Sequence, residues 1–439
     1  MRRDYLVLIM AAYAAAYFTL MRLPGDVLRS PIAGSDLSSY HAAGYLIRTG
    51  QAESLYDVAP GDTILGDATS GPYRQAGDRL GVKRQHYYIY PPFFALVVSP
   101  LSFLSFAAAR AVWLVMELLL VGLFVWIYSA WRRHDGTNMT LMEAGLVAVT
   151  LGLEFLPLIW ELAIGQTTVL ILVLLAGCLL MAKRGSEATA GLLLGLATAI
   201  KLTPALLIVY FALRGRKRLA VWGAGCFLAA NLAAMAALGL ASHAEFFGEV
   251  VPRMSGGTAY FLNQSLAGTF NRLLGDGDVR QVYLEDSAIV KILAAATSLI
   301  LLGITAYVIR SRQAARWTAA AAPHGLSLDL EACALIALSL VISPISWSHH
   351  YLLALLPLYT VVAAAGRSGR RSLGWAVAVG VAFLLIARKP HHELYATGPA
   401  RVALSAAMLG GLTLWAACLA ILRWEPAPPE IETQVARAA

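Results

Sequence analysis

The chain has 439 residues, 59% of them hydrophobic and only 14% charged, against roughly 25% in an average soluble protein. That balance excludes a chain that covers itself with polar surface in water, and apolar runs long enough to span a bilayer recur from end to end. The net charge of +8 does not point to nucleic acid, because the basic residues fall in short clusters between apolar segments, as the positive-inside rule expects.

Arg2 and Arg3 precede an apolar run over 5–23. The run is long enough to span and further spans follow, so it reads as a retained first helix and not a cleaved signal peptide. With basic clusters placed inside, this helix runs outward and leaves 24–90 as an extracytoplasmic loop. Arg132-Arg133 belongs inside again, which demands an odd number of crossings, and 107–131 supplies one. The segment 91–104 is too short to span, is bracketed by prolines, and reads as re-entrant or interfacial. Helices 141–160 and 163–182 form a hairpin that returns to Lys183-Arg184, with Glu161 and Gly165-Gln166 at its outer tip.

The stretch 189–213 has basic flanks on both sides, so its crossings are even. Pro204 removes a backbone donor and clashes with the preceding turn. Two half-helices result, with Lys201-Leu202-Thr203-Pro204 at the tip, an arrangement tolerated at membrane depth where it lines a cavity. Helix 219–241 leads to a second extracytoplasmic loop, 242–287. Helices 288–309, 331–345, 350–366, 373–387 and 402–422 then alternate, with Arg310, Arg312, Arg367, Arg370, Arg371 and Arg423 inside. The expected architecture is an all-α polytopic membrane protein with about 10 full transmembrane helices plus re-entrant and half-helices. It forms one membrane domain over 1–424, and 425–439 reads as a disordered cytoplasmic tail. Cys178, Cys226, Cys333 and Cys418 lie singly in apolar stretches, as small buried hydrophobes and not disulfides or metal ligands.

Several polar residues are candidates for chemistry, and each has a structural alternative. Asp36 opens the first outer loop, either as an acid favoured by a helix N-terminus or as a general base. Tyr90-Pro91-Pro92 is by itself a rigid turn into an apolar segment. Glu154 and Glu161 share one helix face, and a carboxylate at membrane depth faces a cavity or a partner, unless Glu161 sits at the wet end of its hairpin. Glu117 lies mid-helix as an acid paired with a polar group elsewhere. Lys201, between two apolar half-helices, needs an anion or a water-filled cavity, or it snorkels to the interface. Arg253 and Arg272 flank Asn263-Gln264-Ser265 in the second loop, where an arginine is ordinarily solvated. His349 and His350 are adjacent and diverge, so they lack the i, i+4 spacing of a helical metal pair; one of them is a candidate donor to a phosphate or sugar. His391-His392 reads as solvated.

In order along the chain stand Asp36–Tyr40, Leu55-Tyr56-Asp57, Tyr90-Pro91-Pro92, Gly165-Gln166, Ala199–Pro204, Asn263–Leu266 and Ser343–His350. This ordered set resembles glycosyltransferase family 87, which includes mycobacterial mannosyltransferases that extend phosphatidylinositol mannosides. Thr168 departs from the Asn often found there, and Ser348 stands at a position often acidic. Both departures bear on substrate choice. The resemblance implies a GT-C fold with the active site facing away from the cytoplasm and a catalytic carboxylate in the first outer loop, which maps to Asp36. Charge parity places the same residues on that face.

The function expected is transfer of a sugar, mannose first, from a polyprenyl-phosphate donor to a glycolipid or envelope glycan acceptor at the extracytoplasmic face of the cytoplasmic membrane. Asp36 acts as base with inversion at the anomeric carbon. Lys201, His349, His350 and Arg272 are the candidates for the donor phosphate. Tyr40, Tyr90, Glu161, Gln166, Asn263, Gln264 and Trp347 are the candidates to line the sugar and acceptor site. No cofactor is required, although some GT-C enzymes use a divalent cation, and the partners are lipids, not nucleic acid. The rival class is a transporter or flippase for an anionic lipid-linked substrate, which broken helices and intramembrane charges also suit. Against it, the ionisable residues gather at one face and no inverted repeat is visible.

Overall fold

Apolar runs interrupted by proline, glycine and short polar stretches yield a succession of helices. The computed structural model describes residue 10 and residues 13–153, 155–275, 277–316, 325–365, 372–389, 393 and 398–424. The expectations for Arg2-Arg3, Glu154, Arg367, Arg370, Arg371, His391-His392 and the 425–439 tail lie outside these residues. Among the described residues there is no strand beyond two isolated bridges, Asp67 with His86 and Asn263 with Trp347.

After a π-helical turn over Phe18–Leu28, the first loop carries α1 (Ser35–Arg48) and α2 (Gly71–Leu80), then α3 (Pro92–Val98). The long α4 (Phe106–His134) is followed by α5 (Leu141–Ala148), α6 (Leu156–Ile164) and α7 (Thr168–Lys183). The half-helices α8 (Glu187–Ile200) and α9 (Ala205–Leu213) precede α10 (Lys217–Leu238). Short turns then lead through α11 (Leu266–Leu274) to α12 (Ala288–Arg316), α13 (Gly325–Ile342), α14 (Leu355–Ala365), α15 (Ser372–Ile386) and α16 (Ala406–Trp424).

Among the described residues, five segments are long and apolar enough to cross a bilayer: Phe106–His134, Lys217–Leu238, Ala288–Ser311, Ser348–Ala365 and Gly398–Trp424. A sixth appears if Leu141–Leu151 and Leu156–Ile164, bent by 40°, are taken as one span. The apolar α7, α8 and α15 have only 16, 14 and 15 residues. α7 is buried along nearly its whole length, so it is held by protein and need not match the bilayer. The 141–160 helix breaks before Leu156, and its hairpin turns at Gly165–Thr167. Glu161 thus lies inside α6, fully buried, and not at a wet tip. The break at Lys201–Pro204 falls where proline and lysine require it.

α8 and α10 pack along one another because glycine lets their backbones meet. A Cβ at Gly191 would overlap the carbonyl oxygen of Leu219, and one at Gly195 that of Gly223. Small residues at this spacing are how membrane helices approach closely. The opposite surface type is α12, where Ile289, Ile292, Leu299 and Ile300 are exposed as a lipid-facing stripe.

Polar residues gather at both ends of α4. At its C-terminal end Arg132 pairs with Glu143 at 2.7 Å, and Lys183 bridges Asp135 and Asp329 at 2.6 Å each. At its N-terminal end Arg110 donates to the carbonyls of Val27 and Leu28, and Trp113 Nε1 donates to Gln166 O at 3.2 Å. The rise from Trp113 to Arg132 is about 28 Å at ~1.5 Å per residue, close to one hydrocarbon thickness.

Candidate active site

Asp36 sits in the first turn of α1, where the helix dipole favours an anion. The turn is fixed by Gly34, whose φ of 73° is the left-handed region and whose N–H donates to Ala163 O at 2.7 Å. A side chain there would press on the Phe106 ring at 3.0 Å. The start of α1 is thereby docked on the end of α6, beside Gln166.

Gln166 is the hub of the site. Its Nε2 donates to Asp36 Oδ2 at 2.6 Å. Its Oε1 accepts from Tyr40 Oη at 2.7 Å, from Tyr90 Oη at 2.6 Å and from its neighbour Thr167 N at 2.8 Å. One buried amide therefore orients the carboxylate and two phenols together. Its position comes from Gly165, at φ 73°, which ends α6; a Cβ there would meet Leu37 Cβ at 2.9 Å. The phenol rings are held by edge-to-face packing, with Tyr40 5.3 Å from Tyr90 and 5.1 Å from Phe94.

Near the Tyr90 ring stands the cation. Lys201, half-buried at the break between α8 and α9, places Nζ 5.7 Å from the Tyr90 ring centre and 2.7 Å from His350 Nε2. His349 and His350 are buried with their rings perpendicular, 4.6 Å apart. His350 Nδ1 accepts from Trp347 N at 3.2 Å, which fixes the ring. Glu161 accepts from Val169 N at 3.0 Å and lies within Coulombic reach of Lys201. The structure thus brings together Asp36, Tyr40, Tyr90, Glu161, Gln166, Lys201, His349 and His350.

Asn263, Gln264 and Arg272 play a different part. Asn263 Oδ1 accepts from Ser346 N at 2.9 Å while its Nδ2 donates to the carbonyls of Thr258 and Pro344. Gln264 Nε2 donates to Phe261 O and Leu404 O, and its Oε1 accepts from Ala407 N. The Asn263 amide staples the second loop to Pro344 and Ser346, the Gln264 amide ties it to Leu404 and Ala407 at the start of α16, and Trp347 bridges to Asn263 through the backbone. Arg272 is fully buried and donates to Tyr260 O, Asn263 O and Ser405 Oγ. Its bonds are those of an anchor for the second loop, which differs from the solvated arginine or phosphate contact that its sequence position suggests. Arg253 is exposed and pairs with Glu249 at 2.7 Å.

Sequence reasoning overlooked His86. Its Nδ1 lies 3.6 Å from Asp36 Oδ1 and its Nε2 2.9 Å from Asp67 Oδ1. Burial raises the Asp36 carboxyl, but the charges of His86 and His349 and the hydrogen bond from Gln166 together outweigh it and hold Asp36 below the usual carboxylate range. The His86 bond takes Asp67 down to about 2. The only sequence signal was a histidine at the start of the Tyr87-Tyr88-Ile89-Tyr90 run. Among the described residues, no group of three or more His, Cys, Asp or Glu is arranged to hold a metal ion.

With this geometry in hand, the sequence model of glycosyltransferase family 87 matches residues 88–344. A polyprenol-phosphate-mannose-dependent alpha-(1-2)-phosphatidylinositol mannoside mannosyltransferase of Mycobacterium tuberculosis is 28% identical over 292 residues, 64% of this chain and 62% of that protein. The protein of the same description from Mycolicibacterium smegmatis is 30% identical over 318 residues, 68% of this chain and 66% of its own. The match thus spans a little under two-thirds of the length of these two relatives. A polyprenol-phosphate-mannose-dependent alpha-(1-2)-phosphatidylinositol pentamannoside mannosyltransferase of Mycolicibacterium smegmatis is 30% identical over 317 residues, covering 69% of each chain.

Proposed function

Because the chain belongs to glycosyltransferase family 87, we propose that it is a membrane mannosyltransferase, taking its sugar from a polyprenyl-phosphate donor and delivering it to a glycolipid acceptor. The donor and acceptor classes follow those in the names of its relatives. The reaction runs at the extracytoplasmic face of the cytoplasmic membrane, where nucleotide sugars are absent.

The observation that carries this reading is that Asp36 and Lys201 both come to Tyr90: Gln166 is bonded to Asp36 and to the Tyr90 hydroxyl, and Lys201 Nζ lies 5.7 Å from the Tyr90 ring centre. A carboxylate and a cation near one aromatic ring suit displacement at a sugar carbon. The acceptor hydroxyl attacks the anomeric carbon and gives its proton to Asp36. The bond from that carbon to the phosphate oxygen breaks on the opposite face, with inversion, through an oxocarbenium-like transition state. Lys201, with His350 beside it, meets the charge that grows on the departing polyprenyl phosphate. Tyr40 and Tyr90 line the sugar, Glu161 stands behind Lys201, and the Trp347–His350 segment closes the site. The chemistry asks for no cofactor.

The test is transfer by the purified, reconstituted protein from radiolabelled polyprenyl-phosphate-mannose to total membrane lipid extract, wild type beside Asp36→Asn. Transfer by wild type and none by folded Asp36→Asn is the expected result. Transfer by both removes Asp36 as the base. No transfer by either, from mannose and from other polyprenyl-phosphate sugars, overturns the enzyme class and returns the rival transporter reading.

A further inference from the structure

His86 lies outside every motif that carries the family resemblance, yet two carboxylates hold it, at 2.9 Å on Nε2 and 3.6 Å on Nδ1. The two nitrogens look out from opposite sides of the ring. Asp36, His86 and Asp67 therefore form a line and do not converge on one point, as the ligands of a cation would.

The backbone fixes this line from several directions. Asp67 and His86 form an antiparallel bridge, and Ala68 N donates to Gln85 O at 2.6 Å. His86 N donates to Ser38 Oγ at 3.1 Å, and Gln85 Nε2 donates to Ser38 O at 3.0 Å. Ser38 and Asp36 share the first turns of α1, so ring and carboxylate are tied to one element. Arg84 Nε, 2.9 Å from Asp67 Oδ2, secures Asp67 from its other side.

We propose that His86 is a positioning residue for Asp36: its positive charge, 3.6 Å from the carboxylate, draws it into place and keeps it ionised, while Asp67 behind it keeps the imidazole charged. This rests on the reading of Asp36 as the base. The charged groups facing His86 are Asp36 from α1 and Asp67 from the first loop; Arg84 acts on it through Asp67, and His349 acts on Asp36 from the segment before α14. Burial disfavours the charged imidazole, but the two carboxylates outweigh it and raise His86 to about 9. The charge matters most when the donor arrives. A phosphate brought to Lys201 sets an anion near Asp36, which by itself drives a carboxylate to take up a proton. The imidazolium offsets that and leaves the base free to work.

The test uses the full chain in bilayer nanodiscs, as wild type, His86→Gln and Asp67→Asn, with kcat/KM for transfer followed between about pH 5 and 10. Nitrogen-15 histidine NMR on the same samples supplies a readout independent of activity, the His86 signal being the one His86→Gln lacks. His86→Gln is expected to lose about tenfold or more at neutral pH and to show its acid limb about one unit or more higher than wild type. Asp67→Asn is expected to move the alkaline limb, and the His86 resonance, down from near 9. A wild-type pH profile in His86→Gln, whatever its activity, makes the residue merely structural and overturns the proposal. So does a His86 resonance that titrates at the ordinary histidine value. Should His86→Gln not fold, Asp67→Asn carries both readouts. Should the wild type transfer no sugar, the reading of function fails while the NMR still decides whether the array holds a charged imidazole.

Discussion

Gln166 donates to Asp36 at 2.6 Å across 130 positions of sequence, and the oxygen of the same amide accepts both Tyr40 and Tyr90. The Asp36 carboxylate and the two phenols are thereby set by one side chain. Gln166→Leu is expected to cost about tenfold to a hundredfold in kcat, the worth of a hydrogen bond to a charged group. Gln166→Glu is expected to be at least as harmful, because a second carboxylate beside Asp36 favours its protonation. Steady-state transfer assays on protein of verified fold check both.

Lys201 and His350 form the other half of the site, 2.7 Å apart. Lys201→Met is expected to lower kcat/KM for the donor by about a hundredfold to a thousandfold, the effect of removing a charge that meets a developing anion. His350→Gln is expected to do less, since it leaves the ammonium in place. Kinetics with varied donor at saturating acceptor separate these effects from acceptor binding.

Arg272 offers the contrasting case. Its guanidinium is buried against Tyr260 O, Asn263 O and Ser405 Oγ. Arg272→Lys, which cannot reproduce that fork, is expected to lower thermal stability clearly while leaving donor KM within about twofold. A large rise in donor KM at unchanged stability would instead make it a phosphate ligand.

These contrasts show what was legible in the sequence. The place of Asp36 at a helix start could be read because the helix dipole favours an acid there. The Lys201–Pro204 break could be read because proline and lysine are both costly inside an apolar run. His86 could not, since its role exists only through a bridge to Asp67 and a contact with α1. Nor could the burial of Arg272, whose partners are backbone carbonyls brought in by the fold. Nor could the bend between α5 and α6 or the burial of α7 by protein, because an apolar window does not reveal whether a helix bends or is packed inside the fold.

The packing of α8 on α10 makes a sharp prediction about folding. Gly195 has the backbone of Gly223 where its Cβ would go, whereas Gly225, on the same α10, has nothing within 4 Å. Gly195→Leu is expected to lose most of the folded protein, because inserted volume against a backbone cannot be relieved by a rotamer change. Gly225→Leu is expected to be tolerated. Size-exclusion profiles in detergent distinguish the two.

The Asp67–His86 pair ties stability to pH with a definite sign. His86 has a folded value of about 9, above its unfolded value of about 6.5. Its contribution is therefore fully present below about 6.5 and is lost as pH rises through 9. Asp67, depressed to about 2, contributes above the unfolded carboxylate value and would lose its share only as pH falls through 2. Asp67→Asn removes the share of Asp67 itself and its part in raising His86, leaving the part that Asp36 supplies. Its melting temperature is expected to fall below wild type by a few degrees at about pH 6. That gap is expected to shrink as the pH approaches about 10 and to persist toward about pH 5. Thermal melts of the reconstituted protein across that range check the sign: a gap that widens on the alkaline side would mean that the imidazole is not charged in the folded chain.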